Sequence, residues 1–308
     1  MKNETCPLCS SKINLQLYHI YKDSNDILVV LCSNCLHTYT YFEKDINTEC
    51  LYKDEVYEVV DNRGSIFDKI IEMECLHIIS KLKNKYIKNK SILDFGCGKG
   101  KFLSVAKKEG FNVMGIETEI NRANFARDIY KINVKNDYYL SGKIRTEPFQ
   151  IITLFHVLEH LQNPVEILTN LVKDNLDYDG LVIIEVPNIS SLQAKIAKEL
   201  WMHIDVPRHI SHFTFKSLAK IAEKSGLIIL ETEYFSSHLG IIGLVQSLMS
   251  KMGYTNNIIQ ELKHNNRNLF LGLLLLTPFA ILIELIASRF GYGGIIRIYC
   301  KKNNSLEK

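Results

Sequence analysis

The chain has 308 residues, of which 46% are hydrophobic and 23% charged. That globular balance excludes wholesale disorder and collagen-like repeats, and it leaves room for one or two domains with a sizeable core. Lys and Arg number 37 and Asp and Glu 34, a formal charge of +3, too weak a bias for a dedicated nucleic-acid binder, so no nucleic acid is expected as a partner. No apolar run follows Met1-Lys2-Asn3, so no secretory leader is expected. A cytoplasmic location follows, and there eight cysteines read as thiols or metal ligands, not disulfides.

Four of those cysteines form two close pairs, Cys6-Pro7-Leu8-Cys9 and Cys32-Ser33-Asn34-Cys35, with 22 residues between them. Each two-residue gap lets both thiolates face one ion, so Cys6, Cys9, Cys32 and Cys35 predict a tetrahedral zinc site. A closed all-thiolate site leaves no open position, which makes the ion structural and residues 1–45 a small zinc-ribbon-like module. His37 stands near enough to substitute as a ligand. Cys50, Cys75, Cys97 and Cys300 show no ligand spacing and read as ordinary buried thiols. Residues 46–88 read as a linker and a leading helix. Tyr52 and Tyr57 in that linker could cover a pocket, but packing against the larger domain is the better reading.

From residue 89 the pattern becomes a βαβ series. Strands are predicted at Ser91–Phe95, Val113–Glu117, Asn133–Asn136, Ile151–Phe155, Leu181–Val186, Leu227–Tyr234 and Ile295–Cys300. Helical patterns fill the gaps at Phe102–Lys108, Asn121–Tyr130, Val165–Lys173 and Ser217–Ser225, the last stopped by Gly226. Between the first strand and the first of these helices lies Asp94-Phe95-Gly96-Cys97-Gly98-Lys99-Gly100-Lys101. Glycines there allow positive φ and close approach of a ligand to the main chain. A dinucleotide loop would place its third glycine one residue later, where Lys101 stands. The carboxylate of Asp94 disfavours a pyrophosphate and suits an ammonium group. Glu117, ending the second strand, suits two ribose hydroxyls.

Asp94-x-Gly96-x-Gly98-x-Gly100 followed by Glu117 resembles the class I S-adenosylmethionine-dependent methyltransferases. The resemblance implies an α/β fold with a Rossmann-like, seven-stranded, mostly parallel sheet over residues 89–235 plus 294–302. It implies S-adenosyl-L-methionine as cofactor, with Asp94, Gly96, Gly98 and Gly100 on its methionine part, Glu117 on its ribose and Asp137 near its adenine. Phe149–His160 (FQIITLFHVLEH) and Leu181–Asn188 (LVIIEVPN) resemble the fourth and fifth strands of that family.

Two histidine clusters are candidates for handling a proton. His156, Glu159 and His160 follow the fourth strand. There His156 could act as a base, or Glu159 and His160 could bind a divalent ion as in similar quinone-pathway O-methyltransferases, or the group could cap and pack the next helix. Arg208 to Thr214 (RHISHFT) resembles a segment of methyltransferases of cell-surface glycan and lipid-linked sugar pathways. That resemblance suggests His209 or His212 as base and Arg208 as an anion clamp, with a small or lipid-linked acceptor, a sugar or glycan precursor. The plain alternative is that Thr214 caps the next helix and the histidines pack the loop.

Residues 236–293 read as an apolar helical insertion before the last strand. Asn268–Ala287 could just span a bilayer, but the strands on either side belong to one sheet, so the excursion must return. A hairpin broken at Pro278, resting in or on the inner face of a membrane with Arg289 and the Lys263–His264 pair at lipid, competes with burial at the sheet edge or in a homodimer. Competing functions are a quinone-type O-methyltransferase, an RNA methyltransferase and a membrane-docked zinc scaffold with a vestigial cofactor pocket.

Overall fold

The computed structural model describes residues 4–22, 25–42, 61–85, 91–254, 258 and 267–303. Tyr52, Tyr57, Cys50 and the Lys263–His264 pair lie outside them. Seven strands form the main sheet: β4 (Ser91–Phe95), β5 (Asn112–Ile116), β6 (Asn133–Lys135), β7 (Phe149–Phe155), β8 (Leu176–Pro187), β10 (Leu227–Glu233) and β11 (Ile295–Lys302). Their order is β10-β11-β8-β7-β4-β5-β6. Strands β4 to β8 pair in parallel, and β11 runs antiparallel between β8 and β10, where the last strand is expected. The central strands are near-continuous apolar runs because helices cover both faces of the sheet. On one side Leu93, Ile152, Leu154 and Ile298 join the core; on the other Ile92, Ile151, Ile183 and Tyr299 do so.

The connecting helices are α1 (Ile66–Lys85), α2 (Lys101–Lys108), α3 (Ile120–Tyr130), α4 (Pro164–Asn175), α5 (Leu192–Ala197) and α6 (Phe215–Lys224). Thr214 caps α6: its hydroxyl accepts from Ser217 N–H, and the Ser217 hydroxyl accepts in return from Thr214 N–H. Two orphan amides are thereby satisfied, and the sharp entry into α6 fixes the segment before it.

The N-terminal segment adds β1 (Asn14–Lys22), β2 (Asn25–Cys32) and β3 (Thr38–Tyr41), an antiparallel ribbon. Its edge is completed by β9 (Ser211–His212), which pairs Thr38 with His212 and Tyr39 with Ser211. One sheet is therefore shared between residues near the two knuckles and a loop from the second half of the chain.

The apolar insertion contains α7 (Leu239–Lys251) and α8 (Arg267–Arg289). Pro278 does not break the excursion into a hairpin as expected; it lies within a continuous α8, on an exposed position, where its ring removes one hydrogen bond of the helix without ending it. The one acid of α8, Glu284, is fully buried and accepts a hydrogen bond from Gly294 N–H at 2.6 Å. Phe279, Leu282, Leu285 and Ile286 face outward instead. Among the described residues no helix is long and apolar enough to cross a membrane.

Candidate active site

A cavity of about 770 Å³ opens at the carboxyl ends of β4, β5 and β7, the side of a parallel sheet on which ligands bind. One end is built by the glycine loop. Gly96, Gly98 and Gly100 all take positive φ, at 75°, 54° and 79°, but their surroundings differ. A Cβ on Gly96 would come within 2.4 Å of Val157, and one on Gly100 within 2.9 Å of Ala126, whereas one on Gly98 would meet nothing within 4 Å. Gly98 is thus the position where the bare backbone faces open space. Gly100 lets α2 and α3 close on one another and does not itself line the cavity.

Asp94 lines this end and is 3% exposed. Thr153 donates to its Oδ1 at 2.6 Å. Burial, reinforced by the nearby charge of Glu117 and opposed by the Thr153 hydrogen bond, pushes the carboxyl up to about 7. With no cationic partner among the described residues, this buried carboxyl is poised to accept one. Glu117 accepts from Gly98 N–H at 2.8 Å and from Glu119 N–H at 2.9 Å, so its carboxylate also ties the loop to β5. Asp137 stands half exposed at the rim, paired with Lys135 at 3.0 Å.

At the middle of the cavity, His156 ends β7 with a φ of 55°. Its Nδ1 lies 3.2 Å from Glu159 Oε1 and its Nε2 2.9 Å from Glu185 Oε1. Burial opposes charge on the ring, but the two carboxylates outweigh it and push the group up to about 10. With a carboxylate oxygen at each nitrogen, both sides of the ring are engaged inside the protein, which speaks against His156 as the base. Glu185 is held in turn by Arg297, a 2%-exposed guanidinium that also contacts Glu74 at 2.6 Å and Glu233 at 3.0 Å. Glu74 accepts from Ser237 N–H and meets His238 at the head of α7. Sequence reasoning missed Glu185 and Arg297. The available signal was a lone charge in each of the apolar runs LVIIEVPN and IIRIYC, which burial permits only when paired.

The far end is polar. His160, His203, His209, Asp205 and Arg208 line it together with Met202 and Leu239. His209 Nδ1 donates to the His203 carbonyl at 2.8 Å, and its Nε2 lies 3.9 Å from Asp205 Oδ2. Arg208 is bidentate to Asp205, so its charge is matched inside the protein. His160 faces the Arg208 carbonyl through Nδ1 at 3.1 Å, and burial holds it neutral, down to about 4. His212 does not reach the cavity. It is 3% exposed, its Nε2 lies 3.0 Å from Thr40 Oγ1, and burial lowers it to about 3. The expectation that it serves as base is replaced by a place in the shared sheet.

Away from the cavity, the sulfurs of Cys6, Cys9, Cys32 and Cys35 lie within 4.8 Å of one another, the arrangement the two knuckles predict. Burial drives the Cys6 thiol well above its ordinary range. Cys9 falls to about 7, with burial opposing and hydrogen bonds from the Ser11 backbone and neighbouring side chains prevailing. A four-thiolate donor set of this compactness fits zinc.

The sheet order and the cavity at its carboxyl ends are those of the Rossmann-like methyltransferase fold. Residues 67–232, more than half of the chain, match the family model described as a methyltransferase domain, and the chain belongs to that family. It is 29% identical over 134 residues to the ubiquinone biosynthesis O-methyltransferase of Rickettsia bellii, covering 42% of this chain and 55% of that protein. With the protein of the same name from Hydrogenovibrio crunogenus it shares 31% over 115 residues, 33% of this chain and 47% of that one. The chain thus spans about half the length of the curated relatives it matches. Among solved structures, it is similar to an S-adenosylmethionine-dependent methyltransferase from Archaeoglobus fulgidus, at 20% identity and a TM-score of 0.49, over 76% of this chain and 94% of that one.

Proposed function

We propose that this enzyme methylates a hydroxyl of a small polar acceptor, a sugar or glycan precursor carried on a lipid. The observation that carries this reading is the far wall of the cavity, where His160, His203, His209, Asp205 and Arg208 converge. Such a wall offers hydrogen bonds to a polyol, and His203 Nε2, buried with no hydrogen-bond partner among the described residues, would gain none from an apolar ring. The exposed apolar face of α8 supports a lipid-linked acceptor, since Phe279, Leu282, Leu285 and Ile286 could rest on a bilayer surface.

The residues at the near end fit the cofactor. Gly98 offers unobstructed backbone, buried Asp94 offers an anion for its ammonium group, and the Glu117 oxygens retain lone pairs for the ribose hydroxyls. Bound there, S-adenosylmethionine supplies a methyl group activated on a sulfonium. The chain's own work is alignment and proton removal. His209, its tautomer fixed by the His203 carbonyl, would accept the acceptor's hydroxyl proton at Nε2. His156, already charged, would brace the middle of the cavity. The four-cysteine module would hold one structural zinc.

Isothermal titration with S-adenosylmethionine, followed by transfer of labelled methyl into fractionated lipid and sugar extracts, tests the reading. No binding would leave only a scaffold, and label appearing solely in apolar aromatic products would refute the polar acceptor. A second reading, a quinone-type O-methyltransferase with a divalent ion, has one specific observation in its favour. Ligand atoms of Glu159, His160 and His209 lie within 4.8 Å of one another, and Glu159 Oε2 has no hydrogen-bond partner among the described residues. That reading requires divalent-metal dependence abolished by Glu159→Ala.

A further inference from the structure

The segment carrying His209 is gripped from both sides. On the inner side, Ile210 N–H donates to the Glu159 carbonyl at 2.8 Å. On the outer side stands β3 of the N-terminal ribbon, which begins three residues after Cys35. Thr40 on β3 is fully buried. Its N–H donates to the Ile210 carbonyl at 2.9 Å. Its hydroxyl contacts both the His209 carbonyl and His212 Nε2.

The proton count in that contact is fixed. A hydroxyl carries one hydrogen and a carbonyl can only accept, so Thr40 Oγ1–H donates to the His209 carbonyl. The remaining contact then requires His212 Nε2–H to donate to Thr40 Oγ1. A chain of two hydrogen bonds therefore runs from His212 through Thr40 to His209, inside a region closed to water. The knuckle feeds directly into it: Cys32 N–H donates to the His37 carbonyl at 2.9 Å, and the His37 ring packs on Phe213 with centroids 5.4 Å apart. Lys224 of α6, donating to the Leu8 carbonyl at 3.0 Å, ties the first knuckle down as well.

We propose that Thr40 and His212 are positioning residues for His209, so that the four-cysteine module forms the outer wall of the acceptor half of the active site. The module is therefore a part of the catalytic framework and not an appendage. This rests on the reading that His209 handles the acceptor's proton. It extends that reading by giving the N-terminal module a task in the same reaction. The cofactor half stands apart from it, because Asp94, Glu117 and the glycines between them bond to β5, β6, β7, the residues that follow β5 and β6, and one another, and not to β3 or β9.

The unmodified enzyme provides the first test. Long-range nitrogen–proton NMR of its histidines should find the proton of His212 on Nε2 and that of His209 on Nδ1; the opposite tautomer at either ring overturns the proposal. The second test compares Thr40→Val, which keeps the side-chain shape and removes the hydroxyl, with Thr40→Ser, which keeps the hydroxyl. Thr40→Val should shift or broaden the His209 ring signals and lower methyl transfer at least tenfold, with S-adenosylmethionine affinity within twofold of the parent, and Thr40→Ser should restore both. A Thr40→Val enzyme with parental His209 signals and parental rate overturns the proposal. Failure to bind S-adenosylmethionine in the parent would instead sink the methyltransfer reading and leave the tautomer result standing.

Discussion

Asp94 is the residue at which stability and function should separate most cleanly. Its carboxyl is 3% exposed, and burial followed by repulsion from Glu117 raises it from 3.8 to about 7, against the Thr153 hydrogen bond. The folded protein therefore favours the neutral acid more than the unfolded chain does. Stability contributed by that neutral form is present at low pH and is lost as pH rises from about 4 through about 7. The interval corresponds to about 4 kcal/mol of disfavoured charge as an upper bound, and local relaxation should leave roughly 1–3 kcal/mol of it. Asp94→Asn keeps the Oδ1 acceptor for Thr153 and removes the charge. It should be more stable than the parent above pH 7 by about 1–3 kcal/mol and nearly equal to it below about pH 4. The same change should weaken S-adenosylmethionine binding by about 2–3 kcal/mol, or roughly 30- to 150-fold, because a charge-assisted contact to the ammonium group is lost. Chemical denaturation at about pH 4 and about pH 8.5 and calorimetry at about pH 8 measure both. A variant equally destabilised at the two pH values, with parental affinity, would refute the argument that this carboxylate is kept unpaired for a cation.

Three further outcomes follow from the same geometry. Gly98→Ala should cost only about 1 kcal/mol of stability, from its left-handed backbone, but lower cofactor affinity, whereas Gly100→Ala should cost about 2–3 kcal/mol through its clash with Ala126; thermal denaturation and calorimetry on the pair check this, and identical behaviour would contradict it. Arg297→Met should destabilise by about 3–5 kcal/mol, since Glu74, Glu185 and Glu233 lose their shared cation; a loss under 1 kcal/mol in urea unfolding would show that the carboxylates are not held by it. Elemental analysis should find one zinc per chain, and chelation should disorder β1–β3 while S-adenosylmethionine affinity stays within about twofold; a protein without zinc rules out the four-cysteine site.

Local chemistry made much of this enzyme legible in its sequence. The strand–glycine–helix run at Asp94–Lys101 announces itself because a tight left-handed turn and close ligand approach both require glycine. The knuckles do so because two-residue spacing is what a tetrahedral ion needs. The order of strands, with Ile295–Lys302 returning antiparallel beside Leu176–Pro187, follows from the family pattern and right-handed crossovers. Three features belong to tertiary structure alone. The pairing of Thr38–Tyr39 with Ser211–His212 joins residues some 170 positions apart, and backbone hydrogen bonds at such an edge carry no side-chain signature. Three equivalent-looking glycines divide into one that faces open space and two that face packed side chains, a matter of what lies across the turn. Three histidines that look interchangeable in sequence become a ring clamped between two carboxylates, a ring whose Nδ1 donates to a carbonyl, and a buried hydrogen-bond donor to Thr40, because tautomer and partners are set by groups the fold brings in from distant strands.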